Sequence, residues 1–121
     1  ADSISADLPR DRIKAMNAVV ETDGVYLRVS DIDILAAVPT LARGSGVFAE
    51  PAGAAAYAGL VAAVDQGLIK TADRVVVLST GSGLKDVASA MKAVAAAGTE
   101  PMVVEPTLDA LKAAMKTNQT V

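Results

Sequence analysis

Residues 75–86, with the sequence VVVLSTGSGLKD, decide the fold class of this 121-residue chain. The run of apolar residues predicts a strand over 74–79 that is buried on both faces, as parallel strands are. The glycines at 81 and 83 predict a tight turn, and a helix is expected to follow it. In α/β proteins, a strand that leads through a glycine turn into a helix often holds an anionic or heterocyclic ligand. The stretch therefore predicts an α/β protein with a binding loop.

Helical and extended patterns alternate along the rest of the chain. Pro9 opens a first helical pattern, and Ser30 with Asp33 predicts a capping box at the start of a second. Pro51 at a first helical position predicts a helix over 52–65, and two more helices are expected after positions 86 and 106. Strands are predicted at 25–29, 74–79 and 101–104. We therefore expect an open, largely parallel sheet flanked by helices, with residues 1–121 as one segment without an internal boundary.

Composition excludes several classes of function. The chain has no cysteine and no histidine, so disulfides, thiolate metal sites and histidine general bases are excluded. The net charge is −3 and no basic cluster is present, which argues against nucleic acid as a partner. No apolar run approaches the roughly 20 residues of a membrane span, and charged residues near position 1 leave no signal-peptide core. A cytoplasmic location is expected.

The loop at 80–83 has two interpretations from the residues themselves. It is either a tight turn between strand and helix, or a site where Thr80 points its hydroxyl from the strand end into a cleft. In the second case the hydroxyl would hydrogen-bond a ring nitrogen or an anion. The loop is not a dinucleotide fingerprint, because Asp86 stands where the third glycine is needed, and it lacks the Gly-Lys-Ser/Thr of a Walker loop.

Two charged residues near this loop also have alternative interpretations. Glu50 either stabilises the N-terminus of the following helix or lies in the same cleft as Thr80. Lys85 resembles a phosphate ligand at first sight. Its place beside Asp86 at a helix start instead favours a side chain that faces solvent or pairs locally.

The two segments together resemble a known family. Residues 80–86 (TGSGLKD) resemble the T-G-x-G-L-K-D signature of threonine synthases, and residues 46–55 (GVFAEPAGAA) resemble the G-[IV]-F-x-E-P-A-[GS]-A-A segment upstream of it. The residues at 3–5, 9–15 and 29–34 are similar to the family as well. The resemblance implies a fold type II enzyme that uses pyridoxal 5′-phosphate to convert O-phospho-L-homoserine and water into L-threonine and phosphate. It also implies that Thr80 hydrogen-bonds the pyridine nitrogen of the cofactor, that Gly81 lets the backbone pass close to the ring, and that Glu50 lies near the cofactor edge.

Part of that family's site has no counterpart in the sequence. The Schiff-base lysine of the family lies in a Ser-Phe-Lys-Asp type motif, and no such motif occurs here. The chain is therefore expected to be the C-terminal part of the enzyme, inactive and without bound cofactor by itself. Its expected partners are the N-terminal part of the same enzyme, a small-molecule substrate and further copies of the chain. Two alternatives remain: a piece of a related serine or threonine dehydratase, and a non-catalytic small α/β binding module.

Overall fold

Helices form nearly all the regular structure in this computed structural model, which describes residues 1–98 and 102–117. Within those residues the α-helices are α1 (Arg12–Glu21), α2 (Asp31–Ser45), α3 (Pro51–Asp65), α4 (Val87–Ala96) and α5 (Leu108–Thr117). Short 3-10 turns span Asp2–Ile4 and Gly83–Lys85. The five predicted helical patterns are thus confirmed, with α1 beginning later than Pro9.

Helices α2 and α3 begin where the sequence predicts. The Asp33 backbone N–H donates to Ser30 Oγ over 3.2 Å, and the Ser30 N–H donates to Asp33 Oδ2 over 3.0 Å, which completes the predicted capping box. Pro51 occupies the first turn of α3, where its missing N–H leaves no intrahelical bond unmade. These helix starts are specified locally.

The predicted strands are not formed in residues 1–98 and 102–117. Segments 25–29, 74–79 and 102–104 are without ladder pairing, and Pro101 lies outside the described residues. The expected burial of the central strand on both faces is wrong here, because Val76 is 86% and Leu78 72% exposed. A strand needs a neighbour to take its backbone hydrogen bonds, and no described segment pairs with these three. The largely parallel sheet is consequently absent from the described residues.

Helix α2 lies at the centre of the packing. It contacts both α3 and α4, and Val38 of α2 is 2% exposed. Its neighbours present small residues, with Ala54 of α3 and Ala93 of α4 almost completely buried. Alanine at these contacts allows the helix axes to approach closely. The buried cluster comprises Ile34, Ala37, Val38, Ala49, Ala54, Ala58 and Ala93.

Much apolar surface lies outside this cluster. Val103 is fully exposed, Leu84 is 76% exposed, and α1 buries none of its residues. No helix within the described ranges is long and apolar enough to cross a membrane. Exposed apolar surface together with an extended, unpaired segment at 74–79 favours association with another polypeptide.

We expect the purified 121-residue chain to self-associate for this reason. Light scattering across a concentration series should give a mean mass that rises with concentration. Replacement of Val76 and Leu78 by threonine should lower that mass, whereas replacement of the exposed Ile13 and Met16 on α1 serves as a comparison at another apolar surface. A concentration-independent monomer would contradict the expectation.

Two helix caps should make stability depend on pH. The Ser30 hydroxyl and N–H hold the pKa of Asp33 below its usual 3.8, and the hydrogen bond from the Ser89 backbone N–H does the same to the pKa of Asp86. A lowered folded-state pKa means that the charged form favours the folded state. The stabilisation is therefore present above the unfolded-state pKa and is lost as pH falls through the folded-state value.

The substitution Asp33→Asn should accordingly lower the melting temperature most at neutral pH, and its effect should shrink below about pH 4, near the reference pKa of an aspartate. Thermal unfolding followed by circular dichroism between acid and neutral pH measures this difference. Asp7→Asn is the matched control, because its carboxylate makes no hydrogen bond in the described part of the chain. A melting-temperature difference for Asp33→Asn that stays constant across this range would refute the linkage.

Candidate functional site

Backbone hydrogen bonds join the two segments that carry the sequence motifs. The Glu50 N–H donates to the Gly81 carbonyl over 2.9 Å, and the Gly83 N–H donates to the Phe48 carbonyl over 3.0 Å. Ala49 and Ser82 lie between these bonds and form an antiparallel bridge, the only β-bridge in residues 1–98 and 102–117. We call this arrangement the 49–82 bridge. It places the start of α3 directly against the 80–83 loop.

Glycine residues, which have no side chain, allow the two segments to approach this closely. A Cβ on Gly81 would overlap the carboxylate of Glu50, and a Cβ on Gly83 would overlap the ring of Phe48. A Cβ on Gly53, in the first turn of α3, would lie 3.1 Å from both the backbone N and the carbonyl O of Gly81. Gly81 and Gly83 are therefore required by contact across the bridge, and Gly53 leaves little room for a side chain there.

Glu50 is a nearly buried carboxylate at this junction. The residue is 5% exposed, and its Oε1 lies 3.1 Å from Nζ of Lys85, whose side chain is 62% exposed. Glu50 occupies the N-cap position of α3, yet its side chain makes no capping hydrogen bond. The Glu50 carboxylate thus lies at the N-terminal end of α3, where a negative charge is favourable, and it also lies against Gly81.

The partner of Lys85 was not predicted from the sequence. Lys85 was expected to face solvent or to pair locally: its side chain is 62% exposed, but its partner is the distant Glu50, while Asp86 Oδ1 accepts the Ser89 N–H over 3.0 Å. The pair spans 35 positions, so no local spacing rule indicates it. The only signal available was that both charges flank glycine-rich motifs.

Thr80 immediately precedes Gly81 and is exposed. Its hydroxyl makes no hydrogen bond to any group in residues 1–98 and 102–117. An exposed, unpaired hydroxyl can donate to, or accept from, a polar atom of a ligand. The three residues expected at the site, Glu50, Thr80 and Gly81, are therefore neighbours in the fold.

Thr80 is exposed, whereas Glu50 is nearly buried. A groove of about 430 Å³ lies elsewhere, between α2 and α3, and includes none of these three residues. The described residues also contain no group of three or more acidic, histidine or cysteine side chains able to hold a metal ion.

Comparison with known sequences identifies the class of protein. The sequence model of the pyridoxal-phosphate dependent enzyme family matches residues 1–81, a range that contains Glu50, Thr80 and Gly81. The chain belongs to this family, and pyridoxal phosphate is the cofactor of the complete enzyme.

Three relatives that the chain matches are all named threonine synthase. The chain is 35% identical over 116 residues to the threonine synthase of Methanocaldococcus jannaschii, with 96% of this chain and 28% of that protein covered. It is 40% identical over 106 residues to the threonine synthase of Mycobacterium tuberculosis strain H37Rv, with 88% and 29% covered. It is 44% identical over 72 residues to the threonine synthase of Bacillus sp. strain ULM1, with 60% and 20% covered. The chain thus spans less than a third of the length of these relatives.

We predict that Gly81→Ala destabilises the chain by about 1–3 kcal/mol, because the added methyl group overpacks the Glu50 carboxylate. Urea unfolding of the single variants and of Gly81→Ala combined with Glu50→Ala measures this cost. In the Glu50→Ala background most of the cost of Gly81→Ala should disappear, since the overlapped atoms are gone.

Gly59→Ala is the matched control for that series. Gly59 lies in α3 with open space where a Cβ would stand, so alanine should raise stability by about 0.5–1 kcal/mol through helix propensity. The contact is refuted if Gly81→Ala and Gly59→Ala change the free energy of unfolding alike.

Proposed function

We propose that the 80–83 loop and Glu50 form the side of a pyridoxal phosphate site that faces the pyridine nitrogen, in a threonine synthase. The observation that carries this proposal is the 49–82 bridge. Its two backbone hydrogen bonds hold the Glu50 carboxylate against Gly81, the residue that follows Thr80. The residues fit the cofactor, since a ring edge needs one hydrogen-bonding group and a backbone without a side chain next to it.

Each residue has a distinct proposed role. The Thr80 hydroxyl hydrogen-bonds the pyridine nitrogen, and a neutral partner leaves that nitrogen less protonated than a carboxylate would. Gly81 keeps the adjacent backbone free of a Cβ so that the ring can lie close to it. Glu50 sits behind Gly81 near the cofactor edge. When bound, the cofactor supplies an electron sink for carbanionic chemistry at the amino-acid substrate.

The proposed reaction converts O-phospho-L-homoserine and water into L-threonine and phosphate. The TGSGLKD signature at 80–86 and the names of the relatives support this activity over that of a serine or threonine dehydratase. Membership of an enzyme family counts against a binding module without catalysis. An assay of the longer protein that detects phosphate and threonine from O-phospho-L-homoserine supports the proposal, whereas ammonia release from serine or threonine alone would favour the dehydratase.

We further propose that this chain is the C-terminal part of that enzyme and acts in the cytoplasm. Its coverage of about 28% of the Methanocaldococcus relative and its lack of a Ser-Phe-Lys-Asp type motif support a division of the site between segments. The N-terminal part would supply the lysine that holds the cofactor. It would also supply neighbours for the extended segment at 74–79, which would then join a largely parallel sheet.

We predict that Thr80→Val in the longer enzyme weakens pyridoxal phosphate binding about tenfold, the effect expected from the loss of one hydrogen bond of roughly 1.4 kcal/mol. Equilibrium dialysis gives the affinity, and the absorption band of the bound cofactor gives an independent signal. Valine has nearly the volume of threonine, so the comparison isolates the hydroxyl.

Thr80→Ser is the conservative control and should retain most of the affinity, since it keeps the hydroxyl. The 121-residue chain mixed with pyridoxal phosphate should show no band from a lysine-bound cofactor. Wild-type affinity in Thr80→Val would contradict the role of Thr80, and a lysine-dependent band in the 121-residue chain would contradict the division of the site.

A further inference from the structure

The two residues of the Glu50–Lys85 ion pair differ strongly in solvent exposure. It is the one ion pair found within residues 1–98 and 102–117, and its acidic member is buried while its basic member extends into solvent. Exposed ion pairs contribute little to stability, with a median of about 0–1 kcal/mol. Removal of the partner of a buried charge is costly, because the charge left behind has lost its compensation. Loss of Lys85 would therefore leave a buried charge without a partner, whereas loss of Glu50 would leave only an exposed one.

The pair also closes a ring of contacts around the loop. Lys85 ends the 3-10 turn Gly83–Lys85, which follows directly on the loop, and Glu50 precedes the first residue of α3. From Gly81 the ring runs along the backbone to Lys85, across to the Glu50 carboxylate, and back through the Glu50 N–H to the Gly81 carbonyl. The carboxylate lies where a Gly81 Cβ would stand. A shift of Glu50 thus moves the backbone next to Thr80.

We infer that Lys85 is a positioning residue, which holds the Glu50 carboxylate against Gly81 and thereby fixes the loop that presents the Thr80 hydroxyl. This inference rests on the proposed function for its consequence at the cofactor. Lys85 also offsets the negative charge of the Glu50 carboxylate where it lies against Gly81. Both members of the pair therefore serve the hydrogen bond proposed for Thr80, although Lys85 itself does not contact the ligand.

Backbone amide hydrogen exchange of the full 121-residue chain, followed by NMR without cofactor, tests the inference. In Lys85→Met the Glu50 and Gly83 N–H groups should exchange about tenfold faster, while the Val38 amide in the centre of α2 keeps its rate. This pattern identifies local opening of the bridge rather than general unfolding. Lys85→Arg keeps the charge and should restore protection to within about twofold of wild type.

Lys14→Met is the matched control. Lys14 is an exposed lysine on α1 without a side-chain contact in the described residues, so its loss should leave all three amides unchanged. The inference is overturned by unchanged exchange in Lys85→Met, by acceleration that is equal at Val38, or by an absence of protection at Glu50 and Gly83 in the wild-type chain.

A second measurement separates this inference from the proposed function. Pyridoxal phosphate affinity of the longer enzyme should fall in Lys85→Met and recover in Lys85→Arg. Faster exchange in Lys85→Met without any cofactor binding by the wild-type enzyme would refute the proposed function while the role of Lys85 on the loop stands. Unchanged exchange together with a Thr80-dependent affinity would refute the inference and leave the proposed function standing.

Discussion

The 49–82 bridge is the constraint on which the rest of the site depends. Its two backbone hydrogen bonds set the distance between the 80–83 loop and the start of α3, and this distance leaves no room for a Cβ at Gly81 or Gly83. Because α3 packs against α2, the loop is held at a fixed position relative to the buried cluster around Val38. The position of Thr80 is therefore determined by backbone contacts and by the core, without a strand ladder on either side of it.

The charges at the bridge follow from the same constraint. The close approach of the two segments buries the Glu50 carboxylate, and burial of a charge is unfavourable unless an opposite charge or hydrogen-bond donors accompany it. Lys85 supplies that charge from the solvent side, 3.1 Å away. Such a pair adds little net stability, and its effect is to specify one arrangement of the loop. The glycines and the ion pair thus act together to define a single geometry of the 80–83 loop.

Local signals in the sequence predicted the parts of the fold that are locally determined. The capping box at Ser30 and the start of α3 at Pro51 depend on residues a few positions apart, and both predictions are confirmed. The strand at 74–79 depends on partners far along a chain, and the described residues provide none, so Val76 remains exposed. The resemblance implied that Glu50 and Gly81 belong to one site, and the structure places the Glu50 carboxylate against Gly81. The Glu50–Lys85 pair was missed because burial of Glu50 becomes visible only once the bridge has formed.

The central claim is that the bridge presents Thr80 to the ring nitrogen of pyridoxal phosphate. The most direct test is a crystal structure of the longer enzyme with the cofactor bound, in which the distance from Thr80 Oγ1 to the pyridine nitrogen is measured. We expect a hydrogen bond no longer than about 3.2 Å, with the Glu50 carboxylate still against Gly81. A distance beyond about 4 Å, or another side chain bonded to that nitrogen, would contradict it.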